Sequence, residues 1–361
     1  MIRESRKNLV IVSDLHGCKR AFDKSLSSAY KFIKSPADHM FPTCPVDDLP
    51  KFFNESILVF LGDLIDRGPE SYKIIKSLDQ IPNSVHLCGN HEAVFLKFLY
   101  FDDPSNQWGI DEKSMFSFFR FGGMQTLRSF VESGEFIKND DFLNATYDFR
   151  TDDLFYILED FYPFIADLRI AIRYNLHIQK FFSEMGLSFQ MDNFLCVHAG
   201  FLYEYLNQYV GLSKPGWVNS LNTAFKEATL DAMQGDFSKF DTFTSVSTLR
   251  GGKGFAGPLW ADRREILMMT DMNRSRLSEY YHAEGIDTVV VGHSYVDNIE
   301  VHHLSEDVHL GVNVYPVRFI FTDNGLSSYY KGGFSSQSLV VDQFGRLFAQ
   351  DNLGDFDFID Q

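Results

Sequence analysis

Five short segments of this 361-residue chain place aspartate, histidine and asparagine directly after apolar runs. They are SDLHG (Ser13–Gly17), GDLIDRGP (Gly62–Pro69), GNHE (Gly89–Glu92), VHAG (Val197–Gly200) and VGHS (Val291–Ser294). Together they offer Asp14, His16, Asp63, Asn90, His198 and His293. A donor set of imidazole, carboxylate and amide oxygen suits Mn, Fe or Zn. Two such ions about 3.5–4 Å apart need one ligand that spans both, and a carboxylate has two oxygens for that purpose. Asp63 is the natural bridge. Asp14 and His16 then complete a first site, and Asn90, His198 and His293 a second. Such a pair lowers the pKa of a water held between the ions, giving a hydroxide at neutral pH that attacks phosphorus in line with the leaving oxygen. Any one segment alone is a weak signal, because an aspartate before a turn also caps helices. GDLIDRGP is stronger, with two acids, an arginine and two glycines in one turn. The signal that carries the reading is all five in this order.

The elements that must hold these groups are legible as apolar runs. Leu9–Val12, Ile57–Leu61, Val85–Leu87, Phe194–Val197 and Thr288–Val291 read as interior strands, each ending at a small polar or glycine-containing turn. An α/β sheet presents functional groups at the carboxyl ends of its strands, which is where all five segments fall. Between the third and fourth runs lies a long stretch, about Phe95–Asp192, dense in Phe, Tyr and Leu. It reads as helices, and we expect a helical cap insertion that shapes the substrate cleft. Ser35–Pro50 has four prolines and reads as a surface loop. Leu339–Phe348 alternates apolar and polar residues like a closing strand, and the acidic tail, about 350–361, is expected to be loosely held. No internal repeat is present, so residues 1–361 are expected to form a single domain.

Composition limits the partners. The chain carries 33 basic and 49 acidic residues, a net charge of −16, which repels long polyanions and argues against nucleic acid as a partner. No segment is long and apolar enough to cross a membrane. The basic residues and short apolar run at the N-terminus lead straight into the first site segment, so they read as a buried first strand. None of Cys18, Cys44, Cys88 and Cys196 forms a C-x-x-C pair. Three of them lie beside the site segments and are expected to be buried, reduced thiols, which fits a cytoplasmic location. The alternative is export without a cleaved leader, for example as a bacterial effector delivered to a host cell.

The five segments resemble those of the calcineurin-like metallophosphoesterases, and within them the phosphoprotein phosphatase family. FGGMQTLRSF (Phe121–Phe130), GPLWADR (Gly257–Arg263) and FTDNGLSSYYKGG (Phe321–Gly333) resemble its bacterial-like, Shewanella-like branch. The first segment departs by opening on Ser13 where glycine is usual, and Ile65 stands where valine is usual. The resemblance spans Ser13 to about Val341. It implies an α/β fold, a β-sandwich flanked by helices, and two divalent ions, most often Mn.

By the same resemblance His91 is the general acid that protonates the leaving oxygen. Asp66 orients and charges it, and Arg67 clamps the phosphate. The second arginine of the family pattern is open between Arg250 and Arg263, with Arg264 a poorer choice. Glu92 is expected to support the ligand turn; Asn324, Tyr329 and Tyr330 lie in a segment where the family often places residues near the site. The implied activity is a protein phosphatase acting on phosphoserine or phosphothreonine, with phosphotyrosine a variant and a phosphoprotein as substrate partner. The alternatives are a symmetrical dinucleoside tetraphosphatase and an inactive binding module of the same fold.

Overall fold

A computed structural model describes residues 7–34, 54–105, 109–145, 154–211, 213–247, 252, 254–305, 314–323, 338–350 and 356–359. The strands are β1 (Asn8–Val12), β2 (Ser56–Phe60), β3 (Ser84–His86), β4 (Ser188–Met191), β5 (Phe194–Val197), β6 (Thr288–Val291), β7 (Glu300–His303), β8 (Arg318–Phe321), β9 (Ser338–Val341), β10 (Leu347–Gln350) and β11 (Phe356–Phe358). They form a six-stranded sheet in the order β11-β10-β9-β1-β2-β3 and a five-stranded sheet in the order β4-β5-β6-β8-β7. In the first sheet β1, β2 and β3 run parallel. In the second, β5, β6 and β8 do. This is the mixed α/β, two-sheet architecture that the resemblance implied.

The period-2 alternation of strand side chains explains why two sheets stack. Leu9, Ile11, Val59, Leu61, Phe194, Cys196, Val290 and Ile320 form one buried cluster between the sheets. Their neighbours Val10, Val12, Leu58, Phe60, Leu195, Val197, Val289 and Val291 point the other way, into a larger cluster shared with the helices. Strands buried on both faces need continuous apolar runs, and that is how these read.

The helices are α1 (Lys19–Lys34), α2 (Ser71–Leu78), α3 (Asn90–Tyr100), α4 (Glu112–Arg120), α5 (Gly123–Glu132), α6 (Asp140–Asn144), α7 (Leu154–Arg173), α8 (Leu176–Glu184), α9 (Tyr203–Tyr209), α10 (Trp217–Ala232), α11 (Arg263–Leu267) and α12 (Asp271–Ala283). The aromatic stretch after β3 is helical from α3 through α8. Its rings fill the interior: Phe98 and Phe118 stack at 4.3 Å, and Phe95 lies 5.3 Å from Phe118. The stretch ends earlier than expected. Ser188–Met191 pairs antiparallel with β5, because Phe189 and Met191 pack against the inter-sheet cluster.

Two further expectations are corrected. Leu339–Phe348 is a hairpin of β9 and β10, not one closing strand. The chain reverses at Asp342–Arg346, where Gly345 takes φ 82° and Asp342 Oδ1 accepts the Phe344 and Arg346 amides at 2.9 Å each. Part of the acidic tail, Phe356–Phe358, is a strand paired with β10, with Phe358 5.6 Å from Phe348. The Ser35–Pro50 loop lies outside the described residues. No helix of the described residues is long and apolar enough to cross a membrane.

Candidate metal centre

The parallel strands bring the five segments to one edge, at the ends of β1, β2, β3, β5 and β6. Backbone hydrogen bonds then knit the loops together. The Asp63 carbonyl accepts both the Leu15 amide (3.0 Å) and the His16 amide (2.8 Å), and the Gly68 amide donates to the His16 carbonyl (2.9 Å). Tight turns of this kind drive side chains into unusual backbone conformations. His16, Asp63, Asp66, Arg67 and His293 all have φ between 42° and 69°. Such residues cost free energy and persist only where their surroundings over-determine them. Two glycines are required by contact. A Cβ on Gly89 would sit 2.2 Å from Asp63 Oδ1, and one on Gly292 would sit 2.5 Å from Asp14 Oδ1.

Asp63 sits at the centre. Its Oδ2 lies 3.9 Å from His16 Nε2 and 3.7 Å from His91 Nε2, and its Oδ1 lies 3.5 Å from His198 Nε2. Two clusters offer ligand atoms within 4.8 Å of one another: His16, Asp63 and His91, and Asp63, His198 and His293. Asp63 is common to both, as a bridging carboxylate must be. The first cluster contains His91 where the sequence reading placed Asp14. Asp14 is buried beside them and its Oδ2 accepts the His293 amide at 3.1 Å. Asn90 faces the second cluster, its Oδ1 3.0 Å from His198 Nε2.

The donor chemistry fits cations. His198 donates through Nδ1 to the Leu61 carbonyl at 3.0 Å, which leaves Nε2 a lone pair when the ring is neutral. Burial holds both His198 and His16 below the usual imidazole range, and the Arg67 guanidinium adds to the effect on His16. The neutral His198 Nε2, Asn90 Oδ1 and Asp63 Oδ1 are therefore three acceptors converging with no proton between them, an arrangement a cation stabilises. Carboxylates are crowded as well. Burial, then Asp323 and Asp63, push Asp14 well above the usual carboxylate range. In the first cluster Arg67 stands in as the positive charge, its Nη1 donating to His16 Nε2 at 2.9 Å.

His91 differs from the other imidazoles. Burial alone would lower it, but Asp63 and the hydrogen-bonded Asp66 outweigh burial and hold it above its usual value. Its Nδ1 donates to Asp66 Oδ2 at 2.8 Å, and Arg67 Nη2 lies 3.2 Å from its Nε2. Asp66 is itself fixed: Thr126 Oγ1 donates to its Oδ1 at 2.6 Å, and its amide donates to Thr126 Oγ1 and Ser71 Oγ at 3.0 and 3.1 Å.

Glu92 supports the whole turn. Its Oε2 accepts the amides of Asp63 (2.8 Å) and Gly89 (2.9 Å), and its Oε1 those of Leu64 (2.8 Å) and Ile65 (3.3 Å). Burial and the nearby Asp63 push its carboxyl up to about 7.

Arg250 lies outside the described residues, as do Asn324, Tyr329 and Tyr330. Arg263 is described. Its amide donates to Ser294 Oγ at 2.8 Å, while its guanidinium pairs with Glu300 and lies over the Phe321 ring. Those contacts do not join it to the clustered histidines. Sequence reading missed Thr126, Phe121, Trp260 and Asp323 as parts of the site. Phe121 lies 5.3 Å from His91, Trp260 5.9 Å from His293, and the two rings 5.7 Å from each other. All four lie in segments that resemble the bacterial-like branch, which was the available signal. Cys18, Cys88 and Cys196 are free and buried, as expected; Cys44 lies outside the described residues.

Residues 7–167 match the family model for calcineurin-like phosphoesterases. Among solved structures, the I115M mutant of a cold-active protein tyrosine phosphatase aligns with 98% of this chain and 81% of its own, at 15% identity and a TM-score of 0.54. The cold-active protein-tyrosine phosphatase of a psychrophilic Shewanella species aligns with the same shares at 16% identity and a TM-score of 0.52. At these identities the likeness shows the fold. No curated protein matches the chain in sequence.

Two predictions follow the geometry. Glu92→Gln keeps one oxygen and turns an NH2 group toward two backbone donors, so it should lower the unfolding free energy by on the order of 3 kcal/mol. Urea unfolding checks this, and an unchanged midpoint and slope would contradict it. His91 has its pKa raised in the folded state above the ordinary 6.5. Its charged form thus contributes stability that is fully present below that value and lost as the pH rises through the folded one. In chelator-treated protein, the stability gap between the parent and His91→Gln should be widest in mild acid and shrink towards alkaline pH. A gap that grows with pH would contradict the assignment.

Proposed function

We propose that this chain, whose residues 7–167 match the family model for calcineurin-like phosphoesterases, is a metal-dependent protein phosphatase hydrolysing phosphoserine or phosphothreonine, with phosphotyrosine as a variant. The observation that carries the reading is the split among the buried histidines. His16 and His198 are pushed down and suited to hold cations, whereas His91, in the same pocket, is pushed up and suited to hold a proton. Environments that drive titratable groups apart mark out acid and ligand roles.

In this proposal Asp14, His16 and Asp63 hold one divalent ion, and Asp63, Asn90, His198 and His293 hold the other. Mn is the expected metal, and Fe or Zn also suit the donors. When bound, the ions supply Lewis-acid charge and lower the pKa of water for attack on phosphorus. Everything else is done by side chains. Arg67 leaves His16 and His91 for the phosphate oxygens, where its planar fork binds two at once. His91 gives its Nε2 proton to the departing oxygen of the serine or threonine side chain, while Asp66, pinned by Thr126, stabilises the imidazolium through Nδ1. The Phe121 and Trp260 rings border the site between His91 and His293 and limit its access to water.

The alkoxide of serine is a poor leaving group and needs that proton, whereas nitrophenolate does not. His91→Ala should therefore lower turnover of a phosphoserine peptide by about 10²–10⁴-fold and affect p-nitrophenyl phosphate much less. A Mn-supplemented panel of phosphoserine, phosphothreonine and phosphotyrosine peptides and diadenosine tetraphosphate ranks the substrates. Turnover of the dinucleotide alone would sink the protein-phosphatase reading.

A further inference from the structure

Behind His91 lie three buried polar groups whose hydrogen-bond partners are one another: Asp66, Ser71 and Thr126, each fully enclosed. An ionised carboxylate only accepts, and a hydroxyl has one proton to give. Asp66 Oδ2 accepts from His91 Nδ1 at 2.8 Å, and its Oδ1 accepts from Thr126 Oγ1 at 2.6 Å. The Thr126 proton is thereby committed. The 3.0 Å contact between Ser71 Oγ and Thr126 Oγ1 therefore has Ser71 as its donor. The Asp66 amide points back at the same two oxygens, 3.1 Å from Ser71 Oγ and 3.0 Å from Thr126 Oγ1. Donation thus runs from Ser71 to Thr126 to Asp66, and His91 donates to the other oxygen of the same carboxylate. Bonds aligned head to tail in this way polarise one another.

The two hydroxyls come from different parts of the chain. Ser71 opens α2, just after the GDLIDRGP turn, whereas Thr126 sits on α5 in the stretch after β3. That stretch also grips the next residue. The Gly122 carbonyl accepts the Arg67 amide, and a Cβ on Gly122 would come within 2.7 Å of that amide nitrogen. Asp66 and Arg67 have φ of 69° and 66°, a conformation that is costly for residues with a side chain. Both are held in it from the α4–α5 side. Packing alone does not call for a hydroxyl here. A valine has the shape of threonine and brings no buried polar group that needs a partner.

We infer that Thr126 and Ser71 are positioning residues for the general acid. Thr126 fixes the plane of the Asp66 carboxylate, and Ser71 orients the Thr126 hydroxyl, so that His91 presents Nε2 to the leaving oxygen. Neither hydroxyl touches substrate. The inference rests on the phosphatase reading above, in which His91 protonates that oxygen.

The test uses the full-length Mn-loaded protein and two substrates. A phosphoserine peptide leaves as an alkoxide that needs the proton, and p-nitrophenyl phosphate leaves as a phenolate that does not. Thr126→Val should lower kcat for the peptide by about ten- to a hundredfold, the size of one charge-assisted hydrogen bond. KM should stay at the parental value, and the aryl phosphate rate should fall much less. Thr126→Ser restores the hydroxyl and should recover most of the peptide rate. Ser71→Ala acts through Thr126 and should move the peptide-to-aryl ratio in the same direction by a smaller factor; it carries the test if Thr126→Val does not fold. The assignment is overturned if the folded variants keep the parental ratio, if both rates fall by the same factor, or if Thr126→Ser behaves like Thr126→Val. A ratio that drops in His91→Ala but in neither hydroxyl variant refutes the positioning role and leaves the phosphatase reading standing. A parent without peptide turnover, or a His91→Ala variant with the parental ratio, overturns that reading and the positioning role with it.

Discussion

The structure is organised around one buried carboxylate. Asp63 is surrounded by His91, His198, His16 and His293, which hold it far below the usual range against the opposing effect of burial. Its backbone is equally committed. Its amide donates to Glu92, its carbonyl accepts two amides from the loop after β1, and its side chain accepts the His91 amide at 3.0 Å. Moving Asp63 would therefore disturb three strand ends at once. The positive φ at Asp63 and its neighbours is the conformational cost of this convergence.

The helices after β3 are part of the same arrangement. Thr126 on α5 fixes Asp66, the Gly122 carbonyl accepts the Arg67 amide at 3.4 Å, and Phe121 lies against His91. The segment expected to form a cap insertion thus reaches the His91 side of the site through its first helices. Phe95, Phe98 and Phe118 face inward and pack on one another, whereas Tyr174 near the end of the same stretch is exposed.

Much of this was legible in the sequence, for a physical reason. Interior parallel strands must be apolar on both faces, so the runs at Leu9, Ile57, Val85, Phe194 and Thr288 stand out, and ligands at strand ends follow them directly. The strands β4, β7 and β8 were harder to read. Glu300–His303 is half-exposed and polar, and Ser188–Met191 is a four-residue strand whose last three residues are only partly buried. The β9–β10 hairpin reads as one strand because its alternation continues across the turn. Positioning residues were least legible. Thr126 lies 60 positions from Asp66, and Asp323 meets Asp14 across most of the chain; only the fold brings such pairs together. The burial of Glu92 and its four amide contacts are likewise a property of the assembled turn, although its place in GNHE hinted at support.

The central claim is that Asp63 serves two cation sites at once. Metal content and binding isotherms of Mn on the chelator-stripped parent and on Asp63→Asn test it directly. The account predicts two ions per chain for the parent and weakened binding at both sites for Asp63→Asn, since the amide offers only one uncharged oxygen. One site lost with the other at parental affinity, or two sites retained unchanged, would contradict it.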